Sequence, residues 1–123
     1  MKNKILLVLA VLAIIGGSIY YSRYTREQAK PTIEFAQCLK SKGVVFYGAF
    51  WCTHCQKQKK LFGVASSELP YVECSTPDGQ GVTQICKDKH IEGYPTWEFA
   101  SGTRRTGELS FDELSKESGC PAP

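Results

Sequence analysis

Two cysteines separated by two residues, Cys52 and Cys55, set the strongest limit on how this chain folds. The residues before them, Val44 to Tyr47, form an apolar run rich in β-branched and aromatic side chains, which predicts a strand buried on both faces. The residues after them, up to about Leu69, are mostly good helix formers, and Gly63 is expected to bend this helix. The pair is therefore predicted to lie where a buried strand ends and a helix begins.

This position explains the chemistry that we expect of the two thiols. A helix N-terminus offers free N–H groups and about half a positive charge, which favours a thiolate over a thiol. Cys52, exposed at the helix start, is predicted to attack, and Cys55, one turn in, to resolve. His54 stands between them, where an imidazolium or N–H donor would stabilise the Cys52 thiolate and make the disulfide more oxidising. A merely solvated His54 remains the alternative.

Other segments alternate between helix and strand patterns. A capping box of Ser110 and Glu113 marks the start of the last helix, and Gly119 marks its end. The predicted elements are a helix over 32–42, the strand and helix around the cysteines, a strand over 71–74, a helix over 82–89 with Val82, Ile85 and Cys86 inward, a hairpin of 96–100 and 103–107, and a helix over 110–118. This order predicts an α/β fold with a central mixed sheet and helices on both faces.

The N-terminus, residues 1–22, is expected to be a membrane anchor or a signal segment. No charged side chain occurs from Ile5 to Ser22, and 18 helical residues span ~27 Å, close to the ~30 Å of bilayer hydrocarbon. Lys2 and Lys4 precede this stretch. Residues 23–30 suit a short polar tether, which leaves 31–123 as the soluble domain.

Charge and cysteine content indicate the compartment. The net charge of the chain is +3, but residues 1–30 alone carry five basic and one acidic side chain. Residues 31–123 therefore have 10 basic and 11 acidic residues, a net charge of −1. That balance gives no reason to expect nucleic-acid binding. Six cysteines behind an export segment indicate an oxidising, extracytoplasmic location, either periplasmic or lumenal. The domain is expected to be anchored there, or secreted if the segment is cleaved.

A second motif, Gly93-Tyr94-Pro95-Thr96, precedes the predicted hairpin, and Pro95 is expected to adopt a cis peptide bond. W-C-x-x-C at a strand end followed by G-x-P-T before a hairpin resembles the thioredoxin superfamily over about residues 31–119. The strings FYGAFWCTHCQKQKKLFG, YVEC and IEGYPTWEF more closely resemble the thioredoxin-like domain of bacterial vitamin K epoxide reductase homologues.

The resemblance implies a thiol–disulfide oxidoreductase with Cys52 and Cys55 as its redox pair and Pro95 as the cis-proline beside them. Trp51, Tyr94 and Thr96 flank these residues and are expected to contact substrate. Substrates would be protein thiols and disulfides, and no cofactor is implied. The recycling partner would be a quinone-linked membrane protein resembling vitamin K epoxide reductase, encoded separately. A membrane-tethered reductase or isomerase remains the alternative.

One departure from the thioredoxin pattern concerns proton transfer. In that family a buried aspartate stands five residues before the motif tryptophan, where this chain has Phe46. The usual internal proton acceptor is therefore missing. Glu73 on the next strand is a possible substitute, but we expect it to be a solvated surface residue.

The four remaining cysteines have several possible roles. We expect Cys74 and Cys86 to form a structural disulfide worth ~3 kcal/mol, with a second redox relay or free thiols as alternatives. Cys38 and Cys120 either pair, or Cys38 is a buried inert thiol. A zinc module built on four of the cysteines is the non-enzymatic alternative, but their spacing is not that of a zinc ribbon, and no metal is expected.

Overall fold

The computed structural model describes residues 2–123, so Met1 of the predicted N-terminal segment lies outside the described residues, as does the side chain of Lys2. The chain divides into two compact units, and the division falls between residues 30 and 31. The elements are α1 Lys2–Ser41, β1 Val45–Gly48, α2 Thr53–Phe62, a 3₁₀ helix Gly63–Glu68, β2 Tyr71–Glu73, α3 Gln84–Asp88, β3 Thr96–Glu98, β4 Arg104–Thr106 and α4 Phe111–Ser118. The predicted order of helices and strands is confirmed.

In the first unit, α1 is long and apolar enough to cross a membrane. Side chains over residues 3–28 are all exposed, including the large aliphatic ones. Such a surface is favourable in lipid and unfavourable in water. The helix is therefore a candidate membrane span or signal helix, as the sequence predicted.

The predicted tether differs from the structure, because α1 continues through residues 23–30 and includes Pro31. We had expected a separate helix to begin near Thr32. The tether contains arginine, glutamine, alanine and lysine, which favour helix. Pro31 lacks a backbone N–H and so removes one helical hydrogen bond, yet the helix continues across it.

A mixed four-stranded sheet in the order β2-β1-β3-β4 forms the centre of the second unit. Strands β1 and β2 are parallel, with Phe46 opposite Tyr71 and Gly48 opposite Glu73. Strand β1 pairs antiparallel with β3, and β3 pairs antiparallel with β4. The strand that leads to Cys52 is therefore central, with neighbours on both sides.

Aromatic packing fills one face of this sheet. Phe46 is fully buried, with its ring 4.5 Å from that of Trp97 and 5.2 Å from that of Tyr71. Phe35 of α1 stacks on Phe62 of α2 at 6.1 Å. Phe46 of β1 and Phe62 at the end of α2 belong to the same hydrophobic core, so α2 packs against this face of the sheet.

On the opposite face, a smaller cluster contains Tyr47, Cys74, Cys86 and Ile91. Cys74 and Cys86 form a disulfide with a Cα–Cα distance of 5.5 Å. Val82 and Ile85 were expected to point inward but are exposed. Val82 lies before α3, which begins only at Gln84, and Cys86 alone among the five residues of this helix is buried.

Two further features secure the last helix. Cys38 and Cys120 form a disulfide with a Cα–Cα distance of 5.9 Å, which decides between the two alternatives left open for Cys38. The predicted capping box is confirmed, since Ser110 and Glu113 bond each other's backbone amides. Gly119 ends α4 in the left-handed conformation with φ 73°.

Candidate active site

Cys52 is the N-cap residue of α2, directly before its first turn. Its Sγ accepts a hydrogen bond from the backbone N–H of Cys55 at 3.2 Å. The thiol also lies 3.7 Å from the carbonyl oxygen of Tyr94, to which it can donate. An N–H donor and the positive end of a helix both favour negative charge on this sulfur.

The exposure of Cys52 differs from our expectation. We predicted an exposed thiol, but the residue is only 7% exposed. The loop of Tyr94 and Pro95 covers it, because the Tyr94 carbonyl contacts its sulfur. Cys52 nevertheless lines an open groove, so a substrate sulfur can approach it from one side.

Cys55 lies one turn further along α2 and is 1% exposed. Burial, followed by the hydrogen-bonded contact with Cys52, raises the pKa of the Cys55 thiol to about 12. At neutral pH this residue therefore carries its proton. Within residues 2–123, Cys52 and Cys55 are the two cysteines without a disulfide.

The groove at Cys52 has a volume of about 390 Å³ and is lined by Trp51, Cys52, Thr53, His54 and Tyr94. The Tyr94–Pro95 peptide bond is cis, as the sequence predicted. Pro95 itself is buried. The structure thus brings the two sequence motifs, 40 residues apart, to one site.

Two aromatic side chains form a wall of this groove. The Trp51 and Tyr94 rings meet edge to face, with centroids 6.0 Å apart. The Trp51 indole N–H donates to Ser75 Oγ at 2.9 Å, which fixes the ring although half of it is exposed. Both residues are therefore placed to contact a bound chain.

Thr96 does not line the groove, contrary to our expectation. It is buried, and its hydroxyl donates to the Gly93 carbonyl at 2.8 Å and lies 3.3 Å from the Thr106 hydroxyl. The cause is register, because Thr96 begins β3 directly opposite Thr106 of β4. Its side chain stabilises the loop that carries Pro95.

His54 makes a contact that sequence reasoning missed. Its Nδ1 lies 2.6 Å from Oε1 of Glu108, and both side chains are largely exposed. We had expected His54 to act on the Cys52 sulfur, but the hydrogen bond found for its ring goes to Glu108. The two residues are 54 positions apart, and no local pattern signals their contact.

Glu73 is not the solvated residue that we expected. Its carboxylate accepts hydrogen bonds from the Tyr71 hydroxyl at 2.7 Å, the Ser75 amide at 2.9 Å and the Phe50 amide at 3.2 Å. Sequence reasoning also overlooked Tyr71. Alternation along β2 could have signalled that Tyr71 and Glu73 share a face, because the side-chain period of a strand is two.

Comparison with known proteins agrees with this geometry. The family model described as Thioredoxin matches residues 28–116. Thiol-disulfide oxidoreductase LTO1 of Arabidopsis thaliana is 44% identical over 92 residues, covering 71% of this chain and 24% of the relative. Thioredoxin domain-containing protein 5 homolog of Drosophila melanogaster is 31% identical over 116 residues, covering 82% of this chain and 27% of the relative.

Both relatives are much longer than this chain, which spans about a quarter of each. The similarity therefore concerns the thioredoxin-like domain. Together, the family match and the oxidoreductase relative support protein-disulfide oxidoreductase activity.

Proposed function

Because this chain belongs to the thioredoxin family, we propose that it exchanges disulfides with protein thiols through Cys52 and Cys55. One observation carries the proposal: Cys52 Sγ lies at the N-terminus of α2 and lines the groove, whereas Cys55 is buried and protonated. The thiolate is the nucleophile in such exchange. Cys52 therefore attacks, and Cys55 resolves.

The reaction follows from this division of roles. When the protein reduces a substrate, Cys52 Sγ attacks one sulfur of the substrate disulfide, and the other substrate sulfur leaves as a thiolate. Cys55 Sγ then attacks Cys52 Sγ, which forms the Cys52–Cys55 disulfide and releases the second substrate thiol. When the protein oxidises a substrate, the same steps run in reverse.

The substrate is a polypeptide segment that lies in the groove. Trp51 and Tyr94 present aromatic surface beside Cys52, and such rings bury large areas with little loss of side-chain entropy. Pro95 lacks a backbone N–H, and the Pro95 carbonyl accepts a hydrogen bond from the Gly107 amide at 2.8 Å, which holds the loop against the sheet. Cys52 lies among the residues that line this groove, so a bound segment can bring its sulfur to Cys52.

We place the domain outside the cytoplasm, attached by α1 or secreted after its cleavage. The support is the apolar α1 together with two disulfides, Cys38–Cys120 and Cys74–Cys86, since disulfides persist in oxidising compartments. The latter bond is structural in this proposal and silent in exchange. It also occupies two sulfurs that a zinc site would need.

The recycling partner in this proposal is a quinone-linked membrane protein that resembles vitamin K epoxide reductase. Its support is the resemblance of the strings FYGAFWCTHCQKQKKLFG, YVEC and IEGYPTWEF to the thioredoxin-like domain of that group. An alternative is that a reducing partner keeps Cys52 and Cys55 as thiols. The reduction potential of the Cys52–Cys55 pair, measured in glutathione buffers, distinguishes the two partners. A protein that oxidises its substrates has a potential well above about −270 mV, and a protein that reduces them has a potential near that value.

Trapping tests the roles of the two cysteines. Cys55→Ser should accumulate mixed disulfides between Cys52 and substrate or membrane partner, because the second attack is missing. Cys52→Ser should give neither exchange nor trapped species. Both variants are expressed in full-length form, and captured adducts are resolved on non-reducing gels. Trapping by Cys52→Ser in place of Cys55→Ser would reverse the assignment.

A fractionation experiment tests the location. Full-length protein should extract from membranes only with detergent, and protease added outside intact cells or vesicles of known orientation should degrade residues 31–123. Recovery in the soluble fraction with Met1 intact would contradict both the anchor and the signal segment.

A further inference from the structure

The attack by Cys55 requires an acceptor for its proton. Its thiol has a pKa of about 12, chiefly because of burial, so it reaches the reaction protonated. Solvent has little access, since the residue is 1% exposed. A group inside the domain must therefore receive the proton, or the second step will be slow.

The side chain of Tyr71 faces the same small space as the Cys55 sulfur. A methyl group placed on Gly48 would lie 3.0 Å from Cys55 Sγ, 3.4 Å from the Tyr71 hydroxyl oxygen and 2.8 Å from Tyr71 Cε2. The glycine thus leaves room for the phenol and the thiol to approach from either side. Any larger residue at position 48 would separate them.

The phenol leads on to a carboxylate. Tyr71 donates to Glu73 Oε2 at 2.7 Å, and Glu73 Oε1 accepts from the backbone amides of Phe50 and Ser75. Register explains the alignment, because Gly48 lies opposite Glu73 in the parallel pair of β1 and β2. A hydrogen bond therefore connects the Tyr71 hydroxyl, which faces the space at Cys55, to the carboxylate of Glu73.

Lys59 completes the cluster. Its Nζ lies 3.3 Å from the centroid of the Tyr71 ring, where a cation stabilises negative charge that develops on a phenol. The titratable groups that act on Cys55 are Cys52 and Lys59, and those that act on Tyr71 are Glu73, Cys55 and Cys52. All belong to this one cluster.

We propose that Tyr71 and Glu73 form a proton relay for Cys55 in the second step of disulfide exchange. As Cys55 Sγ bonds to Cys52 Sγ and the bond from Cys52 to the substrate sulfur breaks, the Cys55 proton passes to the Tyr71 oxygen. The Tyr71 proton passes to Glu73, and the substrate sulfur leaves with the electron pair. Glu73 then returns its proton to solvent. In the opposite direction, the relay protonates Cys55 as it leaves.

This inference rests on the proposed roles of Cys52 and Cys55, and a two-step measurement separates the two proposals. Full-length protein in detergent is reduced and mixed with a peptide disulfide, and the mixed disulfide is followed by rapid acid quench. Its formation reports the Cys52 step, and its decay reports the Cys55 step. If the proposed function is wrong, the unaltered protein will form no mixed disulfide. If only the relay is wrong, the mixed disulfide will form and decay at the same rates in the relay variants as in the unaltered protein.

Glu73→Gln keeps an oxygen for the Phe50 and Ser75 amides but removes the charge, and Tyr71→Phe removes the hydroxyl. Each should slow the decay roughly 100-fold at neutral pH and leave formation within about twofold, as expected for lost general-base catalysis. Tyr47→Phe and Glu98→Gln change a buried tyrosine and a half-buried strand glutamate elsewhere in the sheet. These controls should leave both rates unchanged.

The pH profile distinguishes a relay from a structural effect. In the variants the proton must go to hydroxide, so the decay rate should rise about tenfold per pH unit between about pH 6 and about pH 9, more steeply than in the unaltered protein. Parallel profiles, or equal slowing by Tyr47→Phe, would overturn the proposal. Thermal unfolding of each variant verifies that the rates are those of folded protein. If one of Glu73→Gln and Tyr71→Phe fails to fold, the other is sufficient for the test.

Discussion

The disulfide between Cys38 and Cys120 should contribute more to stability than the bond between Cys74 and Cys86. A disulfide stabilises a fold mainly by restricting the unfolded chain, and the restriction grows with the length of the closed loop. The first bond joins residues 82 positions apart, and the second joins residues 12 apart. Loop length is therefore the main difference between them.

The expected magnitudes follow from the loop-closure relation. For a separation of 82 residues it gives ~4.5 kcal/mol, and for 12 residues ~3 kcal/mol. A domain of this size has a total free energy of unfolding of roughly 5–15 kcal/mol. Reduction of the longer bond should therefore remove a large share of the free energy of unfolding, from roughly a third to most of it.

The assay compares the oxidised and reduced forms of each variant, so that the two measurements differ only in the disulfide. One variant keeps only the Cys38–Cys120 pair, the other keeps only the Cys74–Cys86 pair, and all other cysteines are replaced by alanine. Urea unfolding followed by near-ultraviolet circular dichroism, with and without a reductant, gives the contribution of each bond.

A smaller contribution from the longer loop would refute this reasoning, because packing or native-state effects would then outweigh chain entropy. Equal contributions of the two disulfides to the free energy of unfolding would also refute it. If a reduced variant is unfolded without urea, added sucrose restores a measurable transition, since excluded osmolytes favour the compact state.

Three further predictions concern surface interactions. Ser110→Ala should lower the free energy of unfolding by ~1 kcal/mol in urea titrations, because it removes the N-cap of α4. Burial raises the pKa of Glu98, but the hydrogen bond and charge of Arg104 hold this pKa below 4.5 overall. The contribution of Glu98 to the free energy of unfolding should therefore be complete above pH 4.5 and lost as the pH falls further. Glu98→Gln should reduce this loss of stability at acid pH in urea titrations. Glu108→Gln removes the carboxylate partner of His54 and should shift the reduction potential, measured in glutathione buffers, by no more than about 20 mV, because the pair is exposed.

Local sequence rules predicted much of the domain. The strand before Cys52, the helix after it and the cap at Ser110 each depend on residues within a few positions, which is the range over which propensity and periodicity act. The same holds for the apolar α1, whose length and composition define a candidate span. The two motifs around Cys52 and Pro95 predicted the fold because such spacing is specific.

Short elements were predicted less well. The helix α3 is only five residues long, and the expected inward position of Ile85 was wrong, because a single turn has too few residues to define a face. The break expected near Pro31 was also wrong, because a proline pattern gives a probable helix boundary and not a certain one.

The sequence by itself determined the order of helices and strands, the position of the redox motif and the candidate membrane segment. Only the tertiary structure decided that Cys38 pairs with Cys120, that Thr96 turns away from the groove and that Glu73 lies in a hydrogen-bonded cluster with Tyr71. These features depend on sheet register and on contacts between distant parts of the chain. A one-dimensional pattern holds no distances between such parts, and packing of the whole domain sets them.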